Sequence, residues 1–193
     1  MNAALSIFES VTASGADPSR APGFHADSAA RLRWKRALEH LHTHRGHPFA
    51  EIDRLLAAQP GCVPAHWLRA ALIVAGDEAA RRSALAVSLA VIEAAHPDAR
   101  DRMHRHAAAA RAWLDGDSNL ALERYGAIAA RDPHDIVALV VAHALDFRLG
   151  RQRMLRDRIA RALTRWNESM PGYASVLAKI GRASCRERVY VLV

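Results

Sequence analysis

Three prolines set the frame for this chain. Pro60, Pro97 and Pro133 lie 37 and 36 residues apart, and each interrupts a stretch whose apolar residues recur at helical spacing. Proline lacks an amide proton and pushes the residue before it out of helical geometry, so it ends one helix and opens the next. The segments around it share one rhythm: LLAAQPGCVPAHWLRAAL at Leu55–Leu72, VIEAAHPDARDRMHRHAAAARAWL at Val91–Leu114 and YGAIAARDPHDIVALVVAHAL at Tyr125–Leu145. This period is that of a helix pair too small to bury its own apolar faces, which becomes stable by stacking on further pairs. The expectation is an all-α chain of antiparallel helix hairpins.

The apolar stripes fill in that frame. Over Ala30–His42, Leu32, Ala37, Leu38 and Leu41 share an inward face, and HRGHP at His44–Pro48 supplies the turn to a second stripe of Phe49, Ile52, Leu55 and Leu56. Later stripes are Leu122, Tyr125, Ile128 and Ala129, then Met154, Leu155, Ile159, Leu163 and Trp166. Alanines over Ala107–Ala110, with Ala112, Ala121, Ala127, Ala129 and Ala130, let helix backbones approach closely. DGDSN at Asp115–Asn119 is a turn, and Asp132 is the expected N-cap beside Pro133, with Asp135 favourable near the same helix start. Trp34, Trp67, Trp113 and Trp166 are dispersed at helical positions and read as packing material.

Composition fits one soluble domain. The 193 residues are 51% hydrophobic and 24% charged, with a formal charge of +7. Lys35 and Lys179 are the only lysines, so the positive charge is almost all arginine. Those arginines are scattered through mixed-charge helices without the basic and aromatic platform of a nucleic-acid binder, which makes nucleic acid an unlikely partner. Cys62 and Cys185 form no CxxC pair, the first residues lack a secretory signal, and the longest apolar run, Ile136–Phe147, is too short to cross a membrane and contains His143 and Asp146. A cytoplasmic protein with no membrane span is expected. Three regions follow: a glycine- and proline-bearing leader over 1–29, the helical-repeat domain over 30–178, and a discordant basic tail over 179–193.

The repeating segments resemble the tetratricopeptide repeat family, most clearly over Met103–Pro133. Ala109 and Ala121 stand at the small positions of the two helices, Gly116 in the turn between them, Tyr125 at the following aromatic position and Pro133 at the terminal proline. Ala112 and Ile128 depart from the pattern, standing where an aromatic and a small residue are usual. More specifically, ALERYGAIAARDPHDIVALVVAHALDFRLG, RQRMLRDRIARAL and MPGYASVLA within Leu120–Leu177 are similar to bacterial tetratricopeptide repeat protein 38-like proteins. The resemblance extends over about Ala30–Ala178 and implies a stacked helical solenoid, with no catalytic residue to carry over. It also implies that further repeats follow, so that this array is truncated and self-association through its open edge is expected. Ile180–Val189, IGRASCRERV, resembles residue for residue a translated sequencing-library adapter, which implies that 179–193 is not native. That segment holds four basic residues and one acid, so the remainder carries +4.

Candidate chemistry is sparse. His143 and Asp146 lie one turn apart on an apolar helix, a spacing at which a carboxylate can orient an imidazole, but no nucleophile accompanies them. His40 and His44 share a face without further metal ligands, while His104 and His106 point to different sides of their helix. No phosphate loop, nucleophile elbow or dinucleotide fingerprint occurs. No catalytic, metal or cofactor residue is therefore assigned. Arg151, Arg153, Arg156, Arg158, Arg161 and Arg165 form the densest basic region. Arg153, Arg156, Arg161 and Arg165, with His143 and Asp146, are the candidate binding residues. The leading expectation is a noncatalytic protein-interaction or scaffold module binding a protein or acidic peptide in a groove lined by its inner helices. The alternative is a metabolic enzyme or small-molecule accessory protein with a polar groove near His143 and Asp146.

Overall fold

Residues 28–43, 47–95, 102–170, 173 and 176–177 are described by the computed structural model. The leader through residue 27, His44, Pro97 and the tail from 179 lie outside them. The described residues form eight α-helices: α1 Ser28–Thr43, α2 Pro48–Ala58, α3 Val63–Gly76, α4 Arg82–Ala95, α5 Arg102–Leu114, α6 Ser118–Arg131, α7 Ile136–Arg148 and α8 Gln152–Leu163. A short 3₁₀ turn, Ala79–Arg81, precedes α4. Consecutive helices pack in pairs along the whole series, as stacked hairpins do.

The first helices of the hairpins make the centre. In α3, 11 of 14 residues are buried, and in α7, 9 of 13. Helices this short are marginal in water on their own, so burial holds them more than propensity does. Their sequences carry almost no polar face because each is surrounded: α3 touches α2, α4, α5 and α7, and α7 touches α3, α6 and α8. Two sets of contacts fix their direction. Near the N-terminal ends, Trp67 of α3 meets Arg102 and His106 of α5, which reach Asp135 at the start of α7. At the C-terminal ends, Trp113 Nε1 donates to Asp77 Oδ1 at 3.2 Å, and Arg148 donates to the carbonyls of Val74 and Ala75. Thus α3, α5 and α7 run in the same direction, with the second helices returning outside them.

One closing motif repeats three times. The amides of Asp77 and Glu78 reach back to Val74 O and Ile73 O, those of Gly116 and Asp117 to Trp113 O and Ala112 O, and those of Gly150 and Arg151 to Phe147 O and Asp146 O. This is the Schellman pattern, and it needs a left-handed residue at its centre: Asp77, Gly116 and Gly150 have φ of 56°, 92° and 67°. Each of the three central helices therefore ends the same way, which is the repeat expressed in hydrogen bonds.

Several expectations hold and several shift. The four tryptophans and the stripes Ile52, Leu55, Leu122, Tyr125, Ile128, Leu155 and Ile159 are buried, with Met154 and Leu163 half-buried beside them. Leu32 is instead 47% exposed, because Ala30, Trp34 and Ala37 form the inward side of α1; the side chains of Leu38 and Leu41 are not among those described. Pro60 and Pro133 do not open helices but sit in turns three residues before Val63 and Ile136. With the start displaced, Asp135 and not Asp132 is the N-cap of α7, accepting from Ala138 N at 2.9 Å, while Asp132 accepts from His134 N within the turn.

A methyl group at Gly116 would meet no neighbouring atom, so only its backbone conformation opposes substitution. Gly116→Ala is expected to lower unfolding free energy by about 1–2 kcal/mol, the cost of a left-handed L-residue, measured by urea denaturation. An unchanged midpoint would show that this turn is not closed as described.

Candidate functional site

Small residues on α6, Gly126, Ala129 and Ala130, leave open space between it and α8. Two adjoining cavities of about 470 and 480 Å³ open between these helices, and Gly126 and Arg158 line both. The N-terminal ends of α6 and α8 lie together, joined by Arg151 Nη2 donating to Asn119 Oδ1 at 2.7 Å. At that end the wall includes Asp117, Leu120 and Glu123; at the other it includes Ala129, Ala130, Pro133, Leu139 of α7, Ala162, Arg161 and Arg165. Gly126 is needed for space: a Cβ there would come within 2.7 Å of Arg158 Nη1, so the guanidinium lies directly against the α6 backbone.

Arg158 is held in place from α7. Its Nε donates to Asp146 Oδ2 at 2.7 Å and its Nη2 lies 3.4 Å from Oδ1. The Asp146 side chain is wholly buried and that of Arg158 is 14% exposed. The carboxylate expected to orient His143 is thus engaged by an arginine of the next helix, and its geometry is that of a joint between α7 and α8. His143 is half-buried on α7. Of the basic residues expected to bind, Arg161 and Arg165 line the groove. Arg153 is exposed outside its lining, and Arg156 is exposed with its Nε 3.5 Å from Asp157 Oδ1. Of the inner helices, α7 contributes Leu139 to the groove wall, while α3 and α7 pack directly on each other and most of the lining comes from the second helices α6 and α8.

The strongest electrostatic cluster was not legible in the sequence. Asp135 Oδ2 accepts from Arg102 Nε at 2.7 Å and from His106 Nε2 at 2.8 Å, while Oδ1 caps α7. His106 stands edge-on to both Trp67 and Tyr125, and Arg102 lies over the Trp67 ring. Burial pushes the Asp135 carboxyl up, but the charges and hydrogen bonds of His106 and Arg102 outweigh it and hold the group well below the usual aspartate range. Asp135 is therefore ionised and the His106 Nε2 carries the proton it donates. Burial, reinforced by the Asp135 charge, raises the Tyr125 phenol, which stays protonated. An imidazole beside a carboxylate resembles half of a catalytic relay, but His106 is 2% exposed, Asp135 is sealed, and neither lines the groove. The one available sequence signal was Arg102 and His106 a single turn apart on an alanine-rich helix.

A second unforeseen pair lies between α3 and α4. His66 Nε2 donates to Pro60 O at 2.7 Å, and its Nδ1 lies 3.2 Å from Ser88 Oγ. Ser88 is fully buried, donates to Ala84 O and accepts from Arg69 Nε at 2.8 Å. Burial lowers the His66 pKa, so the ring is neutral and ties the Pro60 turn to α4. Cys62, also buried, has its thiol pushed up by desolvation to about 11, which leaves it protonated and unreactive at neutral pH. No group of histidine, cysteine and acidic side chains suited to a metal ion occurs among the described residues, and no described helix is long and apolar enough to cross a membrane.

The Asp135 cluster predicts a specific acid response. Asp135→Asn keeps an N-cap acceptor but removes the charge facing Arg102 and His106, and is expected to cost about 3 kcal/mol at pH 7. Asp135→Ala loses the cap as well, about 1 kcal/mol more. Because folding lowers this pKa, the wild-type contribution is complete above the unfolded value of about 3.9 and is lost as pH falls below it. Urea unfolding at pH 7 and pH 3 should therefore show the gap between wild type and Asp135→Asn shrinking in acid; a constant gap would rule out the charged cluster.

No protein-family model matches the chain, and no solved structure matches it significantly.

Proposed function

We propose that the chain is a noncatalytic protein-interaction module, a tetratricopeptide-like repeat array that takes an acidic peptide in the groove between α6 and α8. The observation that carries this is the state of Arg161 and Arg165. Both are exposed, stand one helical turn apart, and border a wall of alanine, proline and leucine. Among the described residues neither forms an ion pair with a carboxylate, unlike Arg54, Arg81, Arg102, Arg111 and Arg158. Two guanidinium groups beside an apolar strip suit a peptide that offers carboxylates next to small apolar side chains, through planar two-bond contacts. Chemistry at His143 and Asp146 is less well supported, because Asp146 is committed to Arg158.

Screening a synthetic array of glutamate- and aspartate-rich peptides with interspersed leucine or valine should yield binders whose affinity falls with added salt. In Arg161→Glu/Arg165→Glu, binding of the best peptide is expected to weaken at least tenfold by fluorescence anisotropy, with the circular dichroism spectrum unchanged. Equal affinity for the double variant would refute the groove as the binding surface.

A further inference from the structure

The groove is electrically uneven along its length. The ends of α6 and α8 that meet at Asn119 and Arg151 present Asp117 and Glu123, one of which Arg151 offsets. The opposite ends present Arg161 and Arg165 with no acid in the wall. Between them Arg158 is already neutralised by Asp146, so the waist contributes shape and little net charge. Asn119 to Ala130 spans about 17 Å of helix, enough for about five residues of extended peptide.

Resting on the peptide-binding reading above, we infer that this groove orients its ligand: an acidic peptide lies with its carboxylates against Arg161 and Arg165 and its uncharged or basic end against Glu123. The reversed placement puts carboxylates beside Glu123 and Asp117 and leaves both arginines unmatched, so like-charge repulsion and lost ion pairing act in the same direction. Arg161 and Arg165 lie one turn apart, about 6 Å, which matches alternate side chains of an extended strand at about 6.6 Å. The preferred ligand therefore carries two acidic residues in an i, i+2 relation at one end, an apolar middle and a neutral or lysine-bearing other end.

The test uses two synthetic peptides of this composition, one with the acidic pair at its N-terminus and one with the sequence reversed, each carrying a benzophenone beside the acidic pair. After irradiation with the full chain, mass spectrometry is expected to place the cross-link around Pro133 and Arg161–Arg165 for both peptides. Glu123→Arg should weaken the lysine-ended peptides about fivefold, as for an exposed charge pair, without moving that cross-link. Cross-links near Asn119 and Glu123, or at both ends equally, overturn the orientation while leaving the groove as the binding site. Absence of binding by either peptide, or binding indifferent to Arg161→Glu/Arg165→Glu, overturns the groove reading and the orientation with it.

Discussion

The fold turns on one buried carboxylate. Asp135 caps the N-terminus of α7 and pairs with two side chains of α5, one of which, His106, packs edge-on against Trp67 of α3 and Tyr125 of α6. Desolvating a charge is costly, and a buried ion pair returns little more than that cost even with good geometry. Its effect is chiefly on arrangement: only one placement of α7 brings a capping oxygen, an arginine and a histidine to the same aspartate. The apolar surfaces of α3 and α7 supply the driving force, and Asp135 sets their relative position.

Arginine plays this jointing part throughout, which changes the meaning of a chain charge of +7. Arg82 donates to Leu114 O, Arg124 to Ala108 O, and Arg148 to Val74 O and Ala75 O, in each case a carbonyl of another helix. Arg111 pairs with Glu93 across α4 and α5, and Arg158 with Asp146 across α7 and α8. A guanidinium offers five donors in a fixed plane and is less strongly hydrated than an ammonium, so it can bridge helices that a lysine would leave for solvent. Among the described residues a good part of the arginine is thus engaged between helices. Arg161 and Arg165, exposed at the C-terminal end of α8, form no ion pair with a carboxylate among the described residues.

Placing the cleft between second helices follows from the same packing. Were the first helices spread in an open curve, their inner face would be the groove. Here α3 and α7 close on each other, and α6 and α8 are left with alanines, Gly126 and a pinned arginine between them. The pin at Arg158 makes the groove depend on Asp146, a residue that never reaches it.

Periodicity and turn chemistry were written in the sequence because they are local. The spacing of Pro60, Pro97 and Pro133, the alanine content of α5, the glycines at 116 and 150 and the apolar stripes of α6 and α8 each follow from constraints on a few consecutive residues. Of the six candidate residues named at that level, Arg161 and Arg165 line the cavity between α6 and α8. The partners of the charged groups were not written there, because Arg102 and His106 meet Asp135 across about thirty positions, and Arg158 reaches Asp146 from the next helix. A helix pattern fixes which side of each helix is apolar, but hairpins can stack at many angles with similar burial. The choice between an open curve and direct α3–α7 contact, and with it the location of the groove, was decided only when distant charges found one another in the folded chain.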